Sequence, residues 1–314
     1  MNELPVLRVD ALRLDSAEGA PILRGVSFSV ARGERVALVG VNGAGKTSTL
    51  RCSALLTKNW RGSIALNGKS PGLYARRELA QKIAVVRQIN DGFAAFTARQ
   101  VVEFGRLPYL KPLEPLTDKD AAIVQDALER VDALQFADRR LDSLSGGERQ
   151  KVLIAAAFAQ TPELLLLDEP AAFLDYQKQA EIADAVALWL RDKGAAAIET
   201  THDLNRAALV ADRVVALREG SVVYDGPAAS ATSQNALKQI FGTTLTTVPH
   251  PTSAVPMILP DKPSPTSERP KRRDGAALKQ LAPVRKKRDR LWLVLFLIAA
   301  LAVLFVAPLI GKTT

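Results

Sequence analysis

The stretch Gly40-Val-Asn-Gly-Ala-Gly-Lys46-Thr47 decides the fold of this chain. It follows a short aliphatic run, residues 36–39, that predicts a buried strand, and it leads into residues 47–51, which can continue as a helix. A glycine-rich turn between a strand and a helix directs backbone N–H groups and the helix N-terminus at phosphate oxygens. In such a loop Lys46 places a positive charge at the β- and γ-phosphates, and Thr47 offers a hydroxyl to Mg²⁺. The sequence therefore predicts an α/β fold with a phosphate-binding loop.

Acidic and polar residues follow two other aliphatic runs, which also predict buried strands. Asp168 and Glu169 come directly after residues 164–167, and His202 comes soon after residues 195–198. Because parallel strands present functional side chains at their carboxyl ends, we expect these residues to meet the glycine loop at one edge of a sheet. There the first carboxylate can bind Mg²⁺, and the second can orient and deprotonate water. On its own, such an acidic pair can also simply end a strand.

Composition excludes several classes of protein. Hydrophobic residues make up 47% of the 314 residues, which is enough for a sizeable core and excludes disorder throughout. The formal net charge is +9, but residues 249–314 carry 12 Lys and Arg against 4 Asp and Glu, so the rest of the chain is nearly neutral. We therefore expect no nucleic-acid partner. The single cysteine, Cys52, excludes an internal disulfide and fits a reducing cytoplasm.

Residues 1–248 predict one globular domain that contains a helical subdomain at about residues 89–150. Within this insert, Ile123, Ala127 and Val131 recur at the spacing of one helix face. The aliphatic runs lie before and after the insert. We therefore expect a mainly parallel core sheet with helices packed against it.

The remaining residues predict a membrane-anchoring tail. Residues 249–284 are rich in proline, serine and threonine and predict an extended linker without packed structure. Residues 285–290 form a basic juxtamembrane segment, and residues 291–310 are an uninterrupted apolar stretch. A helix of that length spans about 30 Å, the thickness of the hydrocarbon core of a bilayer, so a transmembrane helix is predicted. The basic flank places the globular domain on the cytoplasmic side and the C-terminus outside.

Two further motifs complete a pattern: Gln88, which follows a predicted strand at residues 83–86, and Leu144-Ser-Gly-Gly-Glu148. In order and spacing, these two motifs, the glycine loop, Asp168-Glu169 and Thr201-His202-Asp203 resemble the ATPase subunit of an ABC transporter, over residues 5–245. The resemblance implies an α/β P-loop NTPase of ABC type, with a mainly parallel core sheet, an antiparallel β region and a helical subdomain. The predicted transmembrane helix is an addition to that fold. ATP and Mg²⁺ are the implied ligands, and ATP hydrolysis is the implied activity.

The resemblance also implies roles for individual residues. Glu169 would be the general base, His202 would hydrogen-bond the γ-phosphate and the attacking water, and Gln88 would sense Mg²⁺ and move the helical subdomain. The implied catalytic residues are Glu169, His202, Lys46 and Gln88, and the implied metal ligands are Thr47, Gln88 and Asp168. The implied nucleotide-binding residues are Gly40, Asn42, Gly43, Ala44, Gly45, Lys46, Thr47 and Ser48.

The segment Leu144–Glu148 resembles the signature motif of the family and implies a second subunit. Ser145, Gly146, Gly147 and Glu148 would close over the γ-phosphate held by a partner, and Asp175 would bridge the two chains. Because the chain has one glycine loop and one signature motif, two ATPase subunits must meet head to tail, as a homodimer or with a related partner subunit. The same residues also fit a helix N-cap with a capping box, and the two roles are compatible.

Residues 101–109 indicate the kind of transporter. The stretch Val101-Val-Glu-Phe-Gly-Arg-Leu-Pro-Tyr109 resembles ATPases that drive uptake of iron–siderophores, haem and cobalamin, in which it faces the permease. This implies a metal-chelate importer at the inner membrane, with a multi-spanning permease and a periplasmic substrate-binding protein. An ordinary amphipathic helix ending at Pro108 has the same pattern. Two alternatives therefore stay open: an ABC exporter or other membrane complex, and a membrane-anchored ATP-dependent regulator without transport.

Two positions depart from the family pattern. No aromatic residue precedes Phe28, although the family usually stacks adenine on an aromatic side chain before the glycine loop. Adenine selectivity is therefore less firmly implied than phosphate binding. The segment Pro170-Ala-Ala-Phe-Leu-Asp175 keeps the Leu-Asp pair of the family but lacks its usual Ser or Thr.

Overall fold

The computed structural model describes residues 4–87, 93, 95–111, 113–172 and 174–259. The strands are β1 (Leu7–Asp15), β2 (Pro21–Val30), β3 (Arg35–Val39), β4 (Arg61–Leu66), β5 (Ile83–Val86), β6 (Leu164–Asp168), β7 (Ala196–Thr201), β8 (Arg213–Arg218), β9 (Ser221–Pro227), β10 (Thr247–Val248) and β11 (Met257–Ile258). The helices are α1 (Lys46–Ser53), α2 (Arg76–Lys82), α3 (Ala98–Glu103), α4 (Asp118–Arg130), α5 (Gly146–Ala159), α6 (Tyr176–Lys193), α7 (Leu204–Val210) and α8 (Gln234–Phe241).

A six-stranded sheet forms the centre of the fold, in the order β5-β6-β7-β3-β8-β9. The first five strands are parallel, and β9 pairs antiparallel with β8. Strands β3 and β7 are buried along their whole length, as expected of parallel strands covered on both faces. A second sheet, β2-β1-β4, is antiparallel. The expected combination of a mainly parallel core sheet and an antiparallel β region is confirmed.

The predicted strands lie where the aliphatic runs are, with one shift. The run at residues 195–198 predicts a strand that ends before His202, whereas β7 runs from Ala196 to Thr201. Pairing with β3 on one side and β6 on the other extends β7 through the polar residues Glu199 and Thr200. Hydrophobicity alone therefore gives too early an end for this strand.

The insert between β5 and β6 is helical, as predicted. Helix α4 begins three residues before the predicted 121–131 pattern, because Thr117 and Asp120 form a capping box at its N-terminus. The helices of this region pack around buried residues that include Val102, Val124, Leu128 and Phe158. Helix α5 runs through residue 150, the approximate end of the predicted subdomain, and reaches Ala159.

The chain after Val248 differs from the extended linker that its composition predicts. Residues 249–258 form a turn and the strand β11, which pairs antiparallel with β10. Asn205 on α7 explains this order, because its side-chain amide donates to the carbonyl of Ile258 at 3.0 Å and its side-chain oxygen accepts from the Ile258 N–H at 2.8 Å.

Residues 260–314 lie outside the described residues. They include most of the predicted linker, the basic segment 285–290 and the apolar stretch 291–310. Between residues 4 and 259, in the part that the structure describes, no helix is long and apolar enough to cross a membrane.

Candidate nucleotide-binding site

The glycine loop lies between β3 and α1 and takes a shape that two glycines make possible. Gly40 has φ +150°, and a Cβ on it would lie 2.3 Å from the carbonyl oxygen of Leu217. Gly45 has φ +101°, and a Cβ on it would lie 2.6 Å from Leu23 Cδ2. Both the backbone conformation and the space exclude larger residues at these positions. The loop therefore turns tightly into the N-terminus of α1, which is the arrangement that favours a phosphate.

Lys46 is the first residue of α1, and its side chain is buried over the loop. Its ammonium group donates to the carbonyl oxygens of Gly40 at 2.7 Å and Val41 at 3.2 Å. Burial lowers the pKa of Lys46, while the carboxylates of Glu169 and Asp168 act in the opposite direction. Neutral carbonyls thus hold the lysine at the mouth of the loop, and two acidic residues are near enough to influence its pKa.

The other residues of the loop differ in exposure. Asn42, Gly43 and Thr47 are exposed, and Ser48 is half-buried. Ala44 is buried, and its carbonyl accepts a hydrogen bond from the N–H of Gly220 at 3.2 Å. Ala44 therefore attaches the loop to the turn between β8 and β9.

Asp168, the last residue of β6, joins the second predicted motif to the loop. Its Oδ1 accepts a hydrogen bond from Thr47 Oγ1 at 3.1 Å. A hydroxyl and a carboxylate are the hard oxygen donors that Mg²⁺ prefers. In the described part of the chain, no cluster of three or more His, Cys, Asp and Glu side chains forms a site of its own for a metal ion.

The sequence pattern misses Thr200, a buried residue of β7 that contacts both acidic residues. Thr200 Oγ1 donates to Asp168 Oδ1 at 2.7 Å and accepts from the backbone N–H of Glu169 at 3.0 Å. Parallel pairing of β6 with β7 places Asp168 directly opposite Thr200. A run of polar residues that continues an apolar strand up to His202 is the signal that could have found it.

Glu169 and His202 lie next to each other at the same edge of the sheet. His202 Nδ1 is 3.6 Å from Glu169 Oε1. The backbone of Glu169 is in the left-handed region, with φ +49°, which is uncommon for a residue with a side chain. Both side chains line a small cavity, together with Asp203 and Arg206. The predicted meeting of Lys46, Thr47, Asp168, Glu169 and His202 is therefore present in the structure.

The signature residues form the N-terminus of α5. Ser145 Oγ accepts from the N–H of Glu148, and the Glu148 carboxylate accepts from the N–H of Ser145 at 2.7 Å, which makes a capping box. Gly146 has open space around its Cα, whereas a Cβ on Gly147 would lie 2.6 Å from Lys178 Cδ. Among the hydrogen bonds of the described residues, none joins residues 145–148 to the glycine loop of the same chain.

Asp175 caps helix α6 and lies near the signature residues. Its Oδ1 accepts from the N–H of Lys178 at 2.9 Å, and its Oδ2 pairs with Lys178 Nζ at 3.2 Å. The hydrogen bond from the Lys178 N–H contributes most to keeping the pKa of Asp175 below its usual value, and the Lys178 side chain adds to this effect. Lys178 thus contacts both Asp175 and Gly147. Gln88, the remaining predicted site residue, lies outside the described residues.

Comparison with known proteins decides the family. The family model described as ABC transporter matches residues 23–172. The chain is 37% identical over 254 residues to the hemin import ATP-binding protein HmuV of Rhodococcus jostii. This alignment covers 81% of this chain and 86% of that protein. The chain belongs to the ABC transporter family. It is an ATP-binding subunit that hydrolyses ATP, as the subunits of this family do.

Two further comparisons agree with this membership. The ABC subunit is 33% identical over 238 residues to the iron(3+)-hydroxamate import ATP-binding protein FhuC of Bacillus subtilis, covering 76% of this chain and 88% of that one. Its fold matches the structure of cbiO1 from Clostridium perfringens, part of the ABC transporter complex cbiONQ, with a TM-score of 0.66 and 28% identity. That match covers 75% of this chain and 93% of the other.

Proposed function

We propose that this ABC subunit drives a metal-chelate importer and hydrolyses ATP with Lys46, Asp168, Glu169 and His202. The observation that carries the proposal is the meeting of these side chains with the glycine loop at one edge of the sheet. The loop amides and Lys46 would bind the triphosphate, and Thr47 and Asp168 would hold Mg²⁺, which supplies positive charge at the phosphates. Gln88 would complete the metal ligands.

Glu169 accepts a proton from water in this proposal, and His202 orients that water against the γ-phosphate. The 3.6 Å between the two side chains leaves both able to contact one small molecule in the cavity that they line. The left-handed backbone of Glu169 is the kind of strain that recurs at functional sites.

Replacing the general base tests this assignment. Glu169→Gln should lower kcat at least about 100-fold while ATP still binds, because the amide cannot accept the proton. Glu18→Gln, an exposed glutamate in the turn between β1 and β2, is the matched control and should leave kcat unchanged. Hydrolysis and equilibrium binding of ATP are measured on both variants. Hydrolysis at the parental rate by Glu169→Gln would contradict the proposed role.

A homodimer is the proposed working state. Ser145, Gly146, Gly147 and Glu148 would serve the nucleotide of the partner subunit, with Asp175 beside them. The open space at Gly146 and the exposed helix N-terminus leave room for an anion from another chain. Glu169→Gln should form a dimer with ATP in size-exclusion chromatography with light scattering. The same variant with Lys46→Ala added should stay monomeric, because its loop binds the triphosphate poorly.

The proposed cargo class rests on the hemin and iron-hydroxamate relatives and on residues 101–109. In this stretch Gly105, Arg106 and Pro108 are buried, and Leu107 is exposed. The buried residues fix a 3₁₀ helix that presents Leu107 outward, where we place the permease. Glu169→Gln, isolated gently from its own membranes with ATP, should carry a multi-spanning permease of the metal-chelate type. An exporter-type permease would mean that the subunit drives export instead of import. Repeated isolation without any permease would favour the membrane-anchored regulator.

The tail is proposed as a membrane anchor. A helix predicted at residues 291–310 and preceded by the basic segment 285–290 would hold the ATPase at the cytoplasmic face of the inner membrane, with the C-terminus outside. Anchoring raises the effective concentration of the ATPase at its permease. A chain that ends at residue 284 should leave the membrane fraction in cells that lack the permease. Full-length protein should stay membrane-bound in the same cells.

A further inference from the structure

We propose that Thr200 is a positioning residue, which holds the Asp168 carboxylate and the Glu169 backbone in the geometry that ATP hydrolysis requires. The inference rests on the proposed function and adds to it a residue that acts through Asp168 and Glu169. Thr200 acts through its one hydroxyl, which bridges two consecutive residues of the neighbouring strand.

The position of Thr200 makes this bridge rigid. The residue lies in β7 between β6 and β3, paired with Asp168 on one side and Leu38 on the other. Its side chain is completely buried. A hydroxyl has one donor and can accept in addition, and Thr200 uses both functions, toward Asp168 and Glu169 respectively. The χ1 angle of a β-branched side chain is also restricted, so the direction of the hydroxyl is largely fixed.

The hydrogen bond from Glu169 N–H matters because of the backbone at that residue. A left-handed conformation such as φ +49° is strained for a residue with a side chain and persists only where the surroundings hold it. Thr200 Oγ1 is the acceptor that satisfies the amide of this residue. Without this hydrogen bond, the turn that directs the Glu169 carboxylate toward His202 is no longer held in one conformation.

Asp168 accepts hydrogen bonds from the hydroxyls of two threonines, and the roles of these threonines differ. Thr47 and Thr200 both donate to Oδ1 of Asp168, at 3.1 and 2.7 Å. Thr47 is also a proposed Mg²⁺ ligand, so its bond to Asp168 is open to exchange. Thr200 is completely buried and is not a proposed metal ligand, so it keeps its bond. Among the described residues, Oδ2 of Asp168 accepts no hydrogen bond, which leaves this oxygen for the metal ion.

The test removes the hydroxyl while keeping the shape of the side chain. Thr200→Val should lower kcat about 10- to 100-fold and raise the Mg²⁺ concentration for half-maximal binding of a non-hydrolysable ATP analogue by a similar factor. Thr200→Ser keeps the hydroxyl and should restore both values to within about threefold of the parent. Thr232→Val is the matched control, because Thr232 is buried and its hydroxyl has no partner among the described residues. It should change neither value.

A purely structural role would give a different result. Thr200→Val would then lower the free energy of unfolding but leave kcat and the Mg²⁺ dependence of analogue binding as in the parent, and this outcome overturns the inference. If Thr200→Val does not fold, Thr200→Cys replaces it, since a thiol is a weak donor and acceptor and predicts intermediate values. Failure of the proposed function is separate: Glu169→Gln would then still hydrolyse ATP. If Glu169→Gln is inactive and Thr200→Val is fully active, only the role of Thr200 fails.

Discussion

Arg35 and Glu199 form an ion pair inside the central sheet, with Arg35 Nη2 2.6 Å from Glu199 Oε2 and both side chains no more than 5% exposed. Arg206 on α7 pairs with the other oxygen of the same carboxylate. Arg35 also donates to the carbonyl of Ala183 at 3.2 Å. The three charges therefore connect β3, β7 and two helices, one of which begins two residues after His202.

Removing only the carboxylate should be costly. Glu199→Gln leaves the buried guanidinium group of Arg35 and the partly buried one of Arg206 without a countercharge, and breaking a buried pair in this way costs about 3–5 kcal/mol. We expect a loss of that size in the free energy of unfolding, measured by urea denaturation with circular dichroism. An unchanged value would show that water or a backbone rearrangement compensates the two arginines.

The control replaces all three charges together. In Arg35→Met/Glu199→Leu/Arg206→Met no charge of this network remains, and such replacements of a whole buried network are often neutral or stabilising. We expect this variant to unfold at a urea concentration close to that of the parent chain. If it is as unstable as Glu199→Gln, the network stabilises the fold by more than charge compensation.

Acid should weaken the fold through the same carboxylate. Desolvation alone would raise the pKa of Glu199, but Arg35 and Arg206 attract its charged form more strongly and hold the pKa below its usual value. The unfolded chain then binds this proton more readily, so the stabilisation is complete above about pH 4.3 and is lost as the pH falls through the lower folded pKa. The free energy of unfolding, measured from pH 6 to pH 3, should fall less steeply for Glu199→Gln than for the parent. Equal slopes would contradict this assignment.

The glycine loop and the acidic strand end could be predicted because each depends on a few neighbouring residues. Gly40 to Thr47 form one continuous motif, and residues 164–168 form another, so local sequence carries the information. Glu199 and Thr200 could not be predicted in the same way. Their partners Arg35 and Asp168 lie 164 and 32 positions away, and only the parallel register of the strands brings them together.

The residues directly after Val248 show a feature that composition does not predict. Proline and threonine after Val248 predict an extended linker, yet one pair of hydrogen bonds from Asn205 keeps Ile258 against α7. Composition describes an average property of a segment, whereas a single distant side chain can fix one part of it. For the same reason, the local sequence of residues 101–109 does not predict the burial of Arg106, which pairs with Asp120 at 2.9 Å.

Gly105 should tolerate no side chain, although its φ is not positive. A Cβ there would lie 2.3 Å from the carbonyl oxygen of Ala156 and 3.1 Å from Ala159 Cβ, both on α5. Gly105→Ala should therefore push the 3₁₀ helix away from α5 and cost about 1–3 kcal/mol of unfolding free energy. Gly72→Ala is the matched control, since no atom lies within 4 Å of its Cβ position, and it should be neutral or slightly stabilising. The free energy of unfolding of both variants is measured by urea denaturation. Equal values for Gly105→Ala and Gly72→Ala would mean that α5 can move aside.

Asn205 should fix the first residues of the tail to the helix that follows His202. Asn205→Ala removes both hydrogen bonds to Ile258, each worth about 1 kcal/mol, so the hairpin of residues 247–258 should open more often. In the full-length chain, hydrogen exchange of peptides from this hairpin should be at least about tenfold faster. Asn235→Ala, an exposed position on α8, is the control and should leave this exchange unchanged. Faster exchange in the hairpin with unchanged exchange in α7 would show that the hydrogen bonds from Asn205 hold the hairpin. Unaltered exchange in the hairpin would mean that packing of β11 against α7 is sufficient.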